Sequence, residues 1–421
     1  MIVNQRPNGI ENIKWDYLLV CLLLANSGIP FFYLNIEFKI INFIIVCIVF
    51  FFRNKTVEKY IFIYIFMFTI IYIGQCYTFN SFIYQDYLSV IIRILIAYLT
   101  IRTVSLRFFS TYINLIYVFA IISFFFYLPA IIVPGITNIF ASKISPFFHP
   151  LFNYVHKYMA NNQVIIFNFN EIGDLRNSGP FWEPTTFGGF LLIAIIINTV
   201  MSGLLIVKKN IIMMIALLTT LSTTIYIAFF LFIMIYFVFI NKTINAIVTI
   251  IPLFAVFLII FFEAGFLQNK IKSQINETDK YYHRGQVENR FVSALVDIND
   301  FLKYPVFGKG NGEIGEKLNS RFNEHRSNGL ATYLAEFGLI FFLFYFLNLY
   351  LSLNRFCSLY ENNKHLSYLL FFILILIGFS EQYYNLPFFY ALTLLHVTIP
   401  SRLLKYLEFK KVNDGLLLSS Q

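Results

Sequence analysis

Two long polar loops interrupt an otherwise almost continuously hydrophobic chain, one running from about 134 to 179 and the other from about 266 to 328. A channel or carrier usually keeps its loops short and its polar groups inside the bundle. Here the residues able to do chemistry collect in two loops that can close over one another at a membrane surface. Of the 421 residues, 58% are hydrophobic and only 13% charged. A soluble domain carries about a quarter charged residues, so the chain reads as an all-α polytopic integral membrane protein.

Crossing a hydrocarbon core takes roughly 20 apolar residues, fewer when neighbours bury the segment. On that criterion about 12 transmembrane helices are expected, at 15–33, 40–52, 60–74, 87–101, 108–133, 184–207, 211–221, 224–240, 244–265, 329–353, 367–379 and 386–404. The stretch 211–240 is long enough for two short spans turning at Leu221-Ser222-Thr223-Thr224. With two spans there, Arg53, Lys55, Arg102, Arg107, Lys208, Lys209, Lys242, Arg355, Lys364 and Lys405 all fall on one side. Short loops rich in Lys and Arg are cytoplasmic. Both termini are therefore expected in the cytoplasm and both long loops outside it. The chain divides into five parts: helices 1–5 over 1–133, the first loop to 183, helices 6–9 over 184–265, the second loop over 266–328, and helices 10–12 with a cytoplasmic tail over 329–421.

The net charge of +9 follows mostly from this bias, and no nucleic-acid partner is expected. The four cysteines, Cys21, Cys47, Cys76 and Cys357, lie in or beside spans, which excludes a loop disulfide or a thiolate metal site. The first apolar stretch has no clear small-residue cleavage site and reads as a retained span.

The first loop ends in Arg176-Asn177-Ser178-Gly179-Pro180-Phe181-Trp182-Glu183-Pro184. Pro184 suits the first turn of a helix, Glu183 its N-terminus, where the dipole favours a carboxylate, and Trp182 an interfacial belt. The second loop contains Arg284, Arg290, a turn around Pro305, Gly308 and Gly310, and the run His325-Arg326-Ser327-Asn328. Residues 291–302 have the apolar spacing of an amphipathic helix able to lie on a membrane surface. Arg93 sits inside a span, either at a lipid-headgroup cavity or snorkelling to the nearer surface.

Together these pieces resemble a family. The segment from Arg176 to Pro184 is similar to the signature of bacterial O-antigen and capsule repeat-unit polymerases (Wzy), and Leu221-Ser222-Thr223-Thr224 to the turn that follows it, with Ile225 in place of a glycine. Arg290, the Pro305-x-x-Gly308-x-Gly310 turn and Glu336-x-Gly338-Leu339 resemble a second-loop pattern shared with O-antigen ligases. Ser327-Asn328 stands where many relatives have His-Asn, and His325 lies two residues earlier.

The resemblance implies a GT-C-like glycosyltransferase of the bacterial cytoplasmic (inner) membrane, with its active site on the extracytoplasmic face. It would move a growing glycan from undecaprenyl pyrophosphate to a lipid-linked repeat unit, beside a chain-length regulator and among membrane lipids. The leaving pyrophosphate calls for arginine forks, for which Arg176, Arg290, Arg284 and Arg326 are candidates, with Trp182 and Asn328 as further substrate contacts. The acceptor hydroxyl calls for a base, either His325 or Glu183. No cofactor is expected, and the reaction is expected to need no metal. The rival functions are an O-antigen ligase and a flippase of lipid-linked oligosaccharide. A carrier should show paired ionisable residues in several spans, whereas Arg93 is alone well inside one.

Overall fold

The computed structural model describes residues 10–133, 135–139, 143, 163–164, 166–170, 175–240, 290–311, 328–360 and 364–399. Helices dominate: α1 Ile10–Ala25, α2 Pro30–Leu34, α3 Ile36–Phe52, α4 Lys59–Phe79, α5 Tyr84–Val104, α6 Arg107–Ile132 and α7 Ile136–Ile139 precede the first loop. After it come α8 Pro184–Ser202, α9 Lys208–Thr219, α10 Thr223–Ile235 with a π-helical extension to Ile240, α11 Arg290–Lys303, α12 Gly329–Tyr360, α13 Lys364–Gly378 and α14 Pro387–Thr398. Among the described residues, six helices are long and apolar enough to cross a membrane, with shorter apolar helices beside them. The chain is thus a multi-pass helical membrane protein. Each expected span overlaps helix except 244–265, which lies outside the described residues, as does the end of the last span from 400.

Three departures from the sequence reading have local causes. The expected first span is two helices, because Asn26-Ser27-Gly28-Ile29 turns the chain before Pro30. Ser27 Oγ donates to the Leu23 carbonyl and accepts the Phe388 N–H at 2.8 Å, tying that turn to α14. The all-α expectation misses a small antiparallel sheet of β1 Gln163–Val164, β2 Phe167–Asn170 and β3 Arg176–Asn177. Phe167-Asn168-Phe169-Asn170 has the two-residue period of a strand, and both phenylalanines are buried against each other. The third departure is inside α12, where Gly338 leaves helical geometry at φ +70°.

The stretch 211–240 is two helices, α9 and α10, broken at 220–222 with Leu221 left-handed at φ +48°. The twelve residues of α9 reach about 18 Å, short of a full crossing, so its end is buried among α6 and α8. At the opposite end of the bundle Asp16 of α1 bridges Arg53 and Arg107, and Arg102 meets Glu58.

The break in α12 is filled by the turn that follows α11. Lys309 N–H donates to the Ala335 carbonyl (2.8 Å), Gly310 N–H to Glu336 (3.0 Å), and Leu339 N–H to Pro305 (2.8 Å). Gln75 Nε2 of α4 donates to both the Phe307 and Glu336 carbonyls, at 2.6 and 2.9 Å. Irregular backbone at membrane depth persists only where protein satisfies it, and this hook does so. Gly308 and Gly338 allow the approach: a Cβ on either would meet the other segment's backbone.

Gly338→Ala is expected to add about 1–3 kcal/mol of backbone strain and to collide with the Val306 carbonyl. Its thermal midpoint in detergent should fall well below wild type. An unchanged midpoint would mean that the hook does not hold α12.

Candidate functional site

Four segments meet at one end of the bundle. Residues 176–183 lead into α8, Arg290 opens α11, Asn328 precedes α12, and the turn 380–386 joins α13 to α14. Their convergence depends on tight contacts. Tyr383 lies against Gly189 of α8, where a Cβ would collide with its hydroxyl, and that hydroxyl donates to the Thr185 carbonyl at 2.8 Å. Gly329 packs against the backbone of Glu381 with no room for a Cβ. Trp182 N–H donates to the Gly28 carbonyl at 3.1 Å, and Phe181 stacks on Phe190, so the α1–α2 turn carries the approach to α8.

Arg176 is held by the turn between α9 and α10. Its Nε donates to the Thr220 carbonyl at 2.9 Å, one of the backbone acceptors that the break leaves open. Its Nη2 is buried with no hydrogen-bond partner among the described residues. Burial lowers the guanidinium below its ordinary value; Glu183 opposes that shift and Arg290 adds to it. Neighbouring Asn177 bonds Ser123 Oγ and Thr219 Oγ1, each at 2.9 Å, which fixes the strand from which Arg176 projects.

Arg290 Nη2 lies 3.2 Å from Glu381 Oε1, an acidic residue between α13 and α14 that is almost fully buried. Burial holds the Glu381 carboxyl well above the usual carboxylate range, and Glu183, hydrogen-bonded to it, pushes it further. Arg290 and the Trp182 indole oppose that shift without cancelling it. A carboxyl pushed upward favours its neutral form, which weakens its charge against the guanidiniums of Arg176 and Arg290. The site is thereby biased toward positive charge. An anion such as a phosphate ester suits it.

Trp182, read from sequence as an interfacial anchor and substrate contact, packs on Tyr33 with ring centroids 5.2 Å apart and donates to Glu381. Asn328 is fully buried as the N-cap of α12: its Oδ1 accepts the Ala331 N–H at 2.9 Å, and its own N–H reaches Ser293 Oγ at 3.4 Å. Its Nδ2 has no partner among the described residues, like the buried hydroxyls of Ser178 and Thr186. Buried polar groups are normally satisfied, and these three lack partners among the described residues. His325, Arg284 and Arg326 lie outside the described residues.

A second polar cluster supports the first. Lys309 of the hook meets Asp300 at 3.1 Å and Asp297 at 3.7 Å, and Thr332 Oγ1 donates to Asp297 Oδ2 at 2.6 Å. These bonds clamp α11 onto α12 and set where Arg290 stands. Arg93 donates to Ser89 Oγ and the Asn385 carbonyl, and Asn385 Nδ2 to Glu336 Oε2 at 2.8 Å. Arg93 therefore braces the 380–386 turn from within the bundle. His396, in α14, hydrogen-bonds Ser352 and the Thr393 carbonyl, in helix packing.

Residues 210–346 match the family model described as O-antigen ligase. The chain is related to that family, in agreement with the resemblance read from its motifs. That match, on a multi-pass helical membrane protein, supports a membrane glycan-processing enzyme. The match covers about a third of the chain, including the 220–222 turn, Arg290, the hook and Asn328, while Arg176, Glu183 and Glu381 lie outside it. No curated protein matches the chain.

The upward shift at Glu381 has a thermodynamic signature. A carboxyl raised above its ordinary value of 4.5 keeps its proton in the folded protein where the unfolded chain has lost it. Stability then falls as pH rises above about 4.5, by at most about 1.4 kcal/mol per unit. Glu381→Gln cannot ionise. Its thermal midpoint in detergent should exceed that of wild type by a margin that grows from pH 4.5 to 8 and vanishes at lower pH. A margin independent of pH would contradict the upward shift at Glu381.

Proposed function

We propose that the protein is an oligosaccharide repeat-unit polymerase of the bacterial cytoplasmic membrane. On the extracytoplasmic face it transfers the growing glycan from undecaprenyl pyrophosphate to the sugar end of a lipid-linked repeat unit. The observation that carries this reading is the Nη2 of Arg176, buried and without a partner among the described residues, in a site where Arg290 faces a Glu381 carboxyl that burial holds toward its neutral form. The acceptor hydroxyl oxygen attacks the anomeric carbon of the donor sugar, and the bond from that carbon to the pyrophosphate oxygen breaks. Undecaprenyl pyrophosphate leaves with the bonding electrons, its charge met by the two guanidiniums. Arg284 and Arg326 are further candidates for it, and Asn328 for the glycan. The hydroxyl proton passes to Glu183 or His325. Glu381 hydrogen-bonds Glu183 and Arg290 at once, and so ties the base to the leaving-group site. The guanidiniums supply the positive charge, and the reaction as proposed uses no metal.

An O-antigen ligase is the second reading, favoured by the description of the matching family model. That match falls on the second-loop pattern that polymerases and ligases share in the resemblance. The Arg176 to Pro184 segment resembles the polymerases.

Surface polysaccharide from a gene deletion decides between them. A core bearing a single repeat unit, converted to a ladder by the wild-type gene, is expected. Long lipid-linked chains with a bare core would mean a ligase, and single units stranded on the cytoplasmic side a flippase. At matched protein levels Arg176→Ala and Arg290→Ala should lower polymer yield about 100-fold or more. Comparing Glu183→Gln with His325→Ala identifies the base as the residue whose loss abolishes the ladder.

A further inference from the structure

Helix α11 buries its acidic residues and exposes a row of large apolar ones. Its buried face carries Ser293, Asp297 and Asp300 beside Val292, Ala294 and Val296, with Asn328, Thr332 and Lys309 meeting the polar groups. Its outer face carries Phe291, Leu295, Ile298 and Leu302, exposed by 43, 46, 43 and 67%. Their spacing of four, three and four residues makes one continuous stripe about 16 Å long. The stripe begins at the residue next to Arg290, and Phe291 packs on Phe379, just before the turn that carries Glu381.

We propose that this stripe is the track for the polyprenyl chain of the lipid-linked donor, leading it from the pyrophosphate at Arg290 out into the bilayer. The proposal rests on the reading of Arg290 as a pyrophosphate ligand. A polyprenyl pyrophosphate changes from polar to wholly apolar within one bond of its phosphate. The protein surface makes the same change within one residue, from Arg290 to Phe291. That continuity selects the substrate's own chain over the acyl chains of surrounding phospholipid. Because Lys309 and Thr332 hold α11 by its polar face, the stripe is rigid, and its exposed side chains can be changed without opening the bundle.

The test uses the full chain in phospholipid nanodiscs with two radiolabelled probes, undecaprenyl pyrophosphate and the two-isoprene geranyl pyrophosphate. Leu295→Ser combined with Ile298→Ser should weaken undecaprenyl pyrophosphate binding about tenfold and leave geranyl pyrophosphate unchanged, since the short chain reaches only Phe291. Unchanged binding of both probes would overturn the track and mean that bulk lipid alone covers the stripe. Equal weakening of both would also overturn it, by showing that the helix had moved. Arg290→Ala tests the underlying reading separately, because it should weaken both probes. If it weakens neither, the pyrophosphate site fails whatever the serine variant does.

Discussion

The backbone break at Gly338 is the constraint from which the site is built. A helix that leaves its hydrogen-bond ladder inside an apolar bundle exposes carbonyl and N–H groups that lipid cannot satisfy. The 304–310 turn supplies partners on both sides of the break, and Gln75 closes the set from α4. Placing that turn places Lys309, and Lys309 places α11 through Asp297 and Asp300. Arg290, at the first residue of α11, thereby comes within reach of Glu381. A kink in one helix is converted, through one turn and one buried ion cluster, into the position of a guanidinium.

The charges at the site are costly to bury and make sense together. A lone buried carboxylate would lose several kcal/mol of hydration. Glu381 reduces that cost by holding its carboxyl toward the neutral form and by pairing with Arg290. Neutralising both arginines with ionised carboxylates would have left nothing for an anionic ligand. A carboxyl held toward neutrality orders Arg290 and still leaves positive charge available. The Nη2 of Arg176, unpartnered among the described residues, is where that excess points.

Hydropathy read the helices well because spanning a membrane is a local demand on each segment. It failed at Asn26-Ser27-Gly28, where three small residues inside an apolar stretch turn the chain because α14 and Trp182 offer partners from far away in sequence. The Pro305–Gly310 turn and the Glu336-x-Gly338 motif were both visible, but as separate patterns. That one fills the break in the other is a long-range fact, written in the absence of two Cβ atoms. Glu381 belongs to none of the motifs that carry the resemblance. The signal available was a carboxylate standing alone between two apolar spans, where charge is expensive. Arg176, Glu183 and Arg290 were legible from motif resemblance, and their meeting point was not, because Tyr383 on Gly189 and Glu381 on Gly329 bring the segments together. His325, Arg284 and Arg326 remain legible from sequence alone.

The same helix illustrates why such a site belongs at a membrane surface. The amphipathic spacing of 291–302 is equally compatible with packing its apolar face inward, as in a soluble protein, or outward. What decides is the content of the other face: two aspartates that find a buried lysine and a threonine only if they turn toward the bundle. Turning the polar face inward lets α11 hold an arginine rigidly at the site, and it sends the apolar face outward to where lipid is the solvent. A soluble enzyme would have to hide that stripe. In a bilayer it costs nothing, and one helix can serve the charged head and the apolar tail of the same substrate.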